Sequence, residues 1–358
     1  MKLPRHAEIW APGYIADRWK RAFSRSVEPA RVWLTIADHY EPLWRTTDME
    51  AAKNRVRQWE KKWPEIASRH RDSADRSPRY TFFYPEENYE PFFLDPLAEM
   101  TNSGIGDVEI HLHHDGESQQ AFIDRMSGFI ETLSTRHGLL RRIDGKLGFA
   151  FIHGNFALDN SNGGRWCGLN NEITLLRDVG CYADFTMPSG GPTQARLLNT
   201  IYWAIDDPSR PKSYDAGPAL IPGVESAGDL MMIPGPFGLR WKERLVPRIE
   251  LGELSVHDRP SAYRIQRWLD LSPRIGRDIF VKLFTHGAQE ANLRVLLGGD
   301  LDRVFELVRE ECGRRGWCYY FATAWEMFNA VHDSWGRRDP VANLAMKAAQ
   351  TQFDRKFS

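Results

Sequence analysis

The sequence predicts an α/β protein built on mainly parallel strands. Three observations carry this. Apolar runs of strand length alternate with helical patterns along most of the chain. Several of these runs end in a histidine or an acid, and in parallel α/β folds chemistry collects at the carboxyl ends of strands. The length of 358 residues suffices for one large barrel or two ordinary domains. Spacing and length suit a barrel better than an open sheet, although periodicity alone does not decide between them.

The elements follow in order. Arg31 to Ala37 is β-rich and ends in Asp38-His39. Ala51 to His70 reads as a charged amphipathic helix interrupted near Pro64, and Arg79 to Tyr84 as a strand closed by Pro85. Asp107 to His113 is a further strand, and Gln120 to His137 a helix with apolar residues at three-to-four spacing. Lys146 to His153 is a strand followed by a loop rich in Asn and Gly. Asn170 to Val179 is a helix stopped by Gly180, and Cys181 to Met187 a strand running into Pro188. Residues 207 to 260 are rich in Pro and Gly and give no assignment. Asp278 to Thr285 is a late strand; Leu301 to Arg314 and Val341 to Phe353 read as helices. The chain from Asn292 onward is expected to form an outer layer or the surface of a homodimer.

Composition narrows the function classes. Hydrophobic residues make up 42% and charged residues 27%, as in ordered globular proteins. Lys+Arg number 47 and Asp+Glu 48, a balance that gives no reason to expect nucleic acid or an acidic membrane as partner. With 13 Trp, 19 Phe and 11 Tyr, aromatic residues are plentiful. Core packing accounts for most, and some have the flat faces that stack on sugars. The four cysteines form no C-x-x-C pair and no disulfide framework, which fits reduced thiols. The N-terminal stretch has no apolar run of signal-peptide type, and no segment has spanning length, so a cytoplasmic protein is expected.

The strand ends hold the informative residues. His39, His111, His113, His114, His153 and His286, six of the 11 histidines, lie at them, and Glu86 and Glu87 follow the second strand. Strand side chains alternate between faces, so Glu109, His111 and His113 share one face and Ile110 and Leu112 the other. A carboxylate and two imidazoles pointing into a core need partners. A divalent metal, zinc first among them, is one such partner. A hydrogen-bonded polar layer without metal is the alternative.

In these segments the chain resembles the polysaccharide deacetylase (NodB-homology) family, as a divergent member. The family's first strand ends T-F-D-D-G, and here Thr35-Ile36-Ala37-Asp38-His39 stands in that place. Its second strand, A-T-F-F-V, is matched by Tyr80-Thr81-Phe82-Phe83-Tyr84. Its third motif, E-I-G-N-H-x-x-x-H, is matched by Glu109-Ile110-His111-Leu112-His113 with Glu117 four residues on. Its final L-x-H is matched, one residue longer, by Leu283 to His286.

The resemblance spans residues 30 to 290. It implies an incomplete (β/α)7-type barrel with a helical C-terminal extension over 291–358, in a single domain. It implies removal of an acetyl group from an acetylated sugar or polysaccharide precursor, with a carbohydrate as substrate; the charge balance adds the expectation of no nucleic acid or membrane as partner. His113 is the first expected metal ligand, followed by Glu117, His111 and His114. His286 corresponds to the general acid, and His153 is expected to orient substrate or metal. In the direct register Ala37 replaces the family's basic aspartate and Asp38 falls on its metal-binding one. Shifted by one, Asp38 is the base and His39 the ligand. Both registers stay open, and the family's R-P-P-Y motif is replaced by His153-Gly154-Asn155.

Three other readings stand beside this one. A glycoside hydrolase on a related barrel would need two carboxyl groups flanking the bond, with Glu86, Glu87, Glu109, Glu117 and Asp184 available. An inactive relative would bind carbohydrate or a protein. A different amidohydrolase or metal enzyme would act on a small molecule. The Trp166-Cys167 pair could place a thiol near the site, a buried inert cysteine being the more usual case.

Overall fold

A computed structural model describes residues 3–23, 27–242 and 246–344. The strands are β1 (Arg31–His39), β2 (Tyr80–Pro85), β3 (Gly106–Leu112), β4 (Arg141–Ile143), β5 (Lys146–His153), β6 (Cys181–Asp184), β7 (Tyr202–Ala204), β8 (Leu230–Met232), β9 (Gly238–Lys242), β10 (Val246–Glu250), β11 (Glu253–Leu254), β12 (Arg274–Ile275), β13 (Asp278–Thr285) and β14 (Cys318–Phe321). The helices are α1 (Ala7–Phe23), α2 (Met49–Ser68), α3 (Pro91–Asn102), α4 (Gln119–His137), α5 (Glu172–Asp178), α6 (Ala262–Leu271), α7 (Glu290–Val295), α8 (Leu301–Arg315) and α9 (Ala324–Trp335).

The architecture is mixed α/β around a largely parallel sheet. Its order is β11-β13-β1-β2-β3-β5-β6-β8-β7, parallel from β11 to β8, with β7 antiparallel at the edge. Buried parallel strands need apolar cover on both faces. One face of β1 carries Val32, Leu34 and Ile36 against α2, α3, α4 and α8; the other carries Trp33 and Ala37 against a cluster that includes Ala324, Met327 and Val331 of α9. Helix ends follow local chemistry. Asp48 caps α2 by accepting from Glu50 N and Ala51 N, Ser118 caps α4, and Thr323 with Glu326 forms a capping box on α9.

Several expectations change. α2 runs through Pro64 without interruption. The proline lies on the exposed face of the helix, where a missing backbone donor is least costly. The expected strand Cys181–Met187 stops at Asp184, and the helix over 170–179 shortens to α5. The region after 291 is more than a helical extension. β14 pairs in parallel with Arg31 to Leu34 of β1, while β2 pairs with Ala37 to His39 farther along the same strand. Of the helix expected over Val341 to Phe353, the part from 345 onward lies outside the described residues. Among the described residues, no helix is long and apolar enough to cross a membrane.

Candidate metal centre

The carboxyl ends of β1, β2, β3 and β13 bring six polar side chains together. His39 is the last residue of β1, and Glu41 lies just beyond it. Glu87 follows β2, His111 lies on β3 with His113 just past its end, and His286 follows β13. Alternation puts His39 and His111 on the face that carries Trp33, Ala37 and Phe83. The ring centres of His39 lie 4.9 Å from His111 and 4.6 Å from His286, and those of His111 and His113 are 4.6 Å apart.

Hydrogen bonds fix which nitrogens face inward. His111 Nδ1 lies 2.8 Å from the Ile152 carbonyl oxygen. A carbonyl only accepts, so Nδ1 carries the proton and Nε2 presents a lone pair. That Nε2 is buried without a partner, as is Nε2 of His39. His113 Nδ1 is hydrogen-bonded to Glu87, and its Nε2 lies 3.4 Å from Glu41 Oε1. A carboxylate behind an imidazole is how metal-binding histidines are commonly oriented. Glu41, His111 and His113 each offer a donor atom within 4.8 Å of the others, and two imidazoles with one carboxylate make a ligand set for a divalent ion.

Burial sets the electrostatics. His39 and His111 are pushed well below the ordinary histidine range, by burial first and by neighbouring imidazoles second. Burial takes Glu41 up to about 7 and His286 down to about 4. Burial also works against protonation of His113, but its hydrogen bond to Glu87 and the charges of Glu87 and Glu41 outweigh this and raise it. The His113 side chain is 29% exposed, so the group is open to solvent from that side.

The structure separates other expected site residues from this cluster. Asp38 points to the opposite face from His39. Its carboxylate accepts from Gly287 N at 2.6 Å and Tyr80 OH at 3.0 Å, and burial pushes it up to about 7. His114 and His153 meet each other and Glu172 on the helix-packed side of the sheet. Glu117 is bound to Arg125, which also takes Glu86. Glu109 shares a face with His111, but Arg141, Tyr182 OH and Ala150 N occupy its oxygens. Asp184 accepts from Thr186 near the buried Lys282.

A second group with metal-holding donor types, His114, His153, Cys167 and Glu172, is fully buried. Sequence reasoning missed Glu41 and Glu172. Glu41 carries a signal, an acid two residues past a strand-terminal histidine. Glu172 opens a short helix, and only the third dimension brings it to His114. In comparisons with known proteins, the chain matches no protein-family model and no curated protein.

Proposed function

We propose that the chain is a metal-dependent hydrolase that removes an acetyl group from an acetylated sugar or polysaccharide precursor. The observation that carries this reading is the convergence of His111 Nε2 and His113 Nε2 on Glu41, with each imidazole turned by a partner on its other nitrogen. Zinc suits these donors. When bound, it would polarise an acyl carbonyl and lower the pKa of a water.

The chain's own groups supply the rest. His286, down to about 4, is a neutral imidazole near neutral pH and half-buried at the rim. In that form it accepts the proton released as water adds to the acyl carbon, and it then returns the proton to the leaving oxygen or nitrogen. Glu87 holds the tautomer of His113. Trp44, with its ring centre 6.5 Å from that of His286, and Phe156, 5.4 Å from that of His39, are half-buried faces on which a sugar ring can stack.

An incomplete (β/α)7-type barrel is the form of the fold we favour. Lys282 of β13 donates to Met187 O, just past β6, at 3.0 Å, although β1, β2, β3 and β5 separate those strands in the sheet. A sheet that curls brings them together.

Release of acetate from a panel of N- and O-acetylated sugars tests the reading. Expected is release that chelation abolishes and zinc restores, and that falls at least about 100-fold in His286→Ala. A metal-loaded protein that releases no acetate from any member would overturn it.

A further inference from the structure

We propose that His114, His153, Cys167 and Glu172 form a second, closed metal site that takes zinc and anchors the loop between β5 and α5. This site stands independently of the reaction assigned to the first centre.

The four side chains arrive from separate pieces of chain. β3 ends at Leu112, and the backbone beyond it turns His114 to the helix-packed side, with its ring centre 5.2 Å from that of Phe122. His153 ends β5 on the same side as Phe151. Glu172 opens α5, and Cys167 comes from the loop before it. His114 Nε2 lies 2.9 Å from Glu172 Oε1 and 3.0 Å from His153 Nε2, and His153 Nε2 lies 3.3 Å from the same oxygen. Cys167 Sγ lies 3.3 Å from Glu172 Oε2.

Proton counting shows what these groups lack. His153 Nδ1 lies 2.6 Å from the Gly154 carbonyl oxygen, so it holds that ring's proton and Nε2 is a bare lone pair. A carboxylate oxygen faces it. His114 Nε2 can place at most one proton between them, so either the His153 lone pair or the Glu172 oxygen is left without a full donor. A divalent cation satisfies the two imidazole lone pairs and the carboxylate at once.

The sulfur is prepared for the same role. Asn160 N and Leu169 N both point at Cys167 Sγ, at 3.3 Å and 3.4 Å. These two donors hold the sulfur in place beside Glu172, and a bound metal would displace the thiol proton that burial and the Glu172 carboxylate otherwise retain. Asp159 N fixes the other Glu172 oxygen at 2.6 Å.

The side chains of His114, His153 and Glu172 are 0% exposed, and Cys167 is equally buried. Four protein donors with no opening to solvent are the mark of a structural rather than a catalytic site, and a thiolate selects zinc over magnesium or calcium. The loop needs such an anchor. It has little regular structure between Phe156 and Glu172, and Asn155, Phe156, Asp159, Asn160 and Trp166 all take positive φ. It also carries Phe156 to the first centre.

Cobalt and zinc binding to the full chain test the proposal. Wild type should bind about two equivalents, one released to chelator much more slowly than the other. The cobalt-loaded protein should show a near-ultraviolet sulfur-to-cobalt charge-transfer band. Cys167→Ser should lose the band and about one equivalent, whereas His113→Ala and Cys318→Ser should keep the band. If the first centre binds nothing, the band remains with about one equivalent, which separates the two claims. A folded wild type without the band, or Cys167→Ser with unchanged metal content, would overturn the proposal. Should Cys167→Ser not fold, the band in wild type and Cys318→Ser decides.

Discussion

His113 and His114 are adjacent in sequence and serve opposite sides of one sheet. His113 Nε2 lies 3.4 Å from Glu41 Oε1, beside His111, while His114 Nε2 lies 3.0 Å from His153 Nε2 among helix-packed residues. The His113 side is open to solvent and the His114 side is closed. A histidine pair read as one site from sequence is therefore divided between two, and each half makes its own predictions.

Glu87 does not belong to the donor set at Glu41, but it orients His113. Glu87→Ala should weaken zinc binding at the first centre by about 10–100-fold while leaving saturable binding in place. Competition against a chelator of known affinity measures this. Unchanged affinity would show that the Glu87 contact does not position the imidazole.

Gly154 is close to the same imidazole from the other side. A Cβ there would overlap Cγ and Cδ2 of the His113 ring. Gly154→Ala should displace the ring, lower activity sharply and destabilise the fold by about 1–3 kcal/mol. Thermal melts and acetate release on the same preparation separate the two effects.

Glu109 and Arg141 are structural in this account. Arg141 binds Glu109 and both oxygens of Asp107 in the sheet interior. Arg141→Met removes the cation from two buried carboxylates and should destabilise by about 3–5 kcal/mol. Glu109→Gln should bind metal at wild-type stoichiometry, and a lost equivalent in that variant would place Glu109 among the ligands.

Lys282 and Asp184 predict a pH dependence. Burial raises Asp184 from its ordinary 3.8 to about 7, so its stability contribution is complete below 3.8 and is lost as pH rises through 7. Burial lowers Lys282 from 10.5 to about 7, so its contribution is complete above 10.5 and is lost as pH falls through 7. Lys282→Met removes the cation that favours the Asp184 carboxylate and leaves Met187 O without its donor. The loss should be larger near pH 7, where Lys282 and Asp184 are both partly charged, than at pH 5, where Asp184 is neutral and Lys282 is a cation buried at a cost. Urea melts at the two pH values check the sign.

The sequence made the strand ends visible because buried parallel strands are almost wholly apolar, and polar residues stand out where they stop. The β1, β3, β5 and β13 runs and the placement of His39, His111, His113 and His286 at one end followed from that contrast. Alternation also separated Glu109 and His111 from Ile110 and Leu112. It held past Leu112 as well, with His113 beside His111 and His114 on the side of Ile110 and Leu112, so the grouping of His113 with His114 in one ligand set was what went astray. Alternation also turned Asp38 away from His39, although the family motif set them side by side. Glu109 was legible as an inward carboxylate but not as the partner of Arg141, because that pairing joins β3 to the short strand β4. Cys167 was legible only as a thiol that could lie near a site, because an irregular loop carries it, and Glu172 stayed hidden because it opens a seven-residue helix.

The most direct test of the first centre is metal content of wild type, His111→Ala and Glu41→Gln after exhaustive chelation and reloading with zinc. The account predicts that each variant stays folded and loses about one equivalent relative to wild type, from the fast-exchanging population. Full retention of that equivalent in His111→Ala would contradict the site.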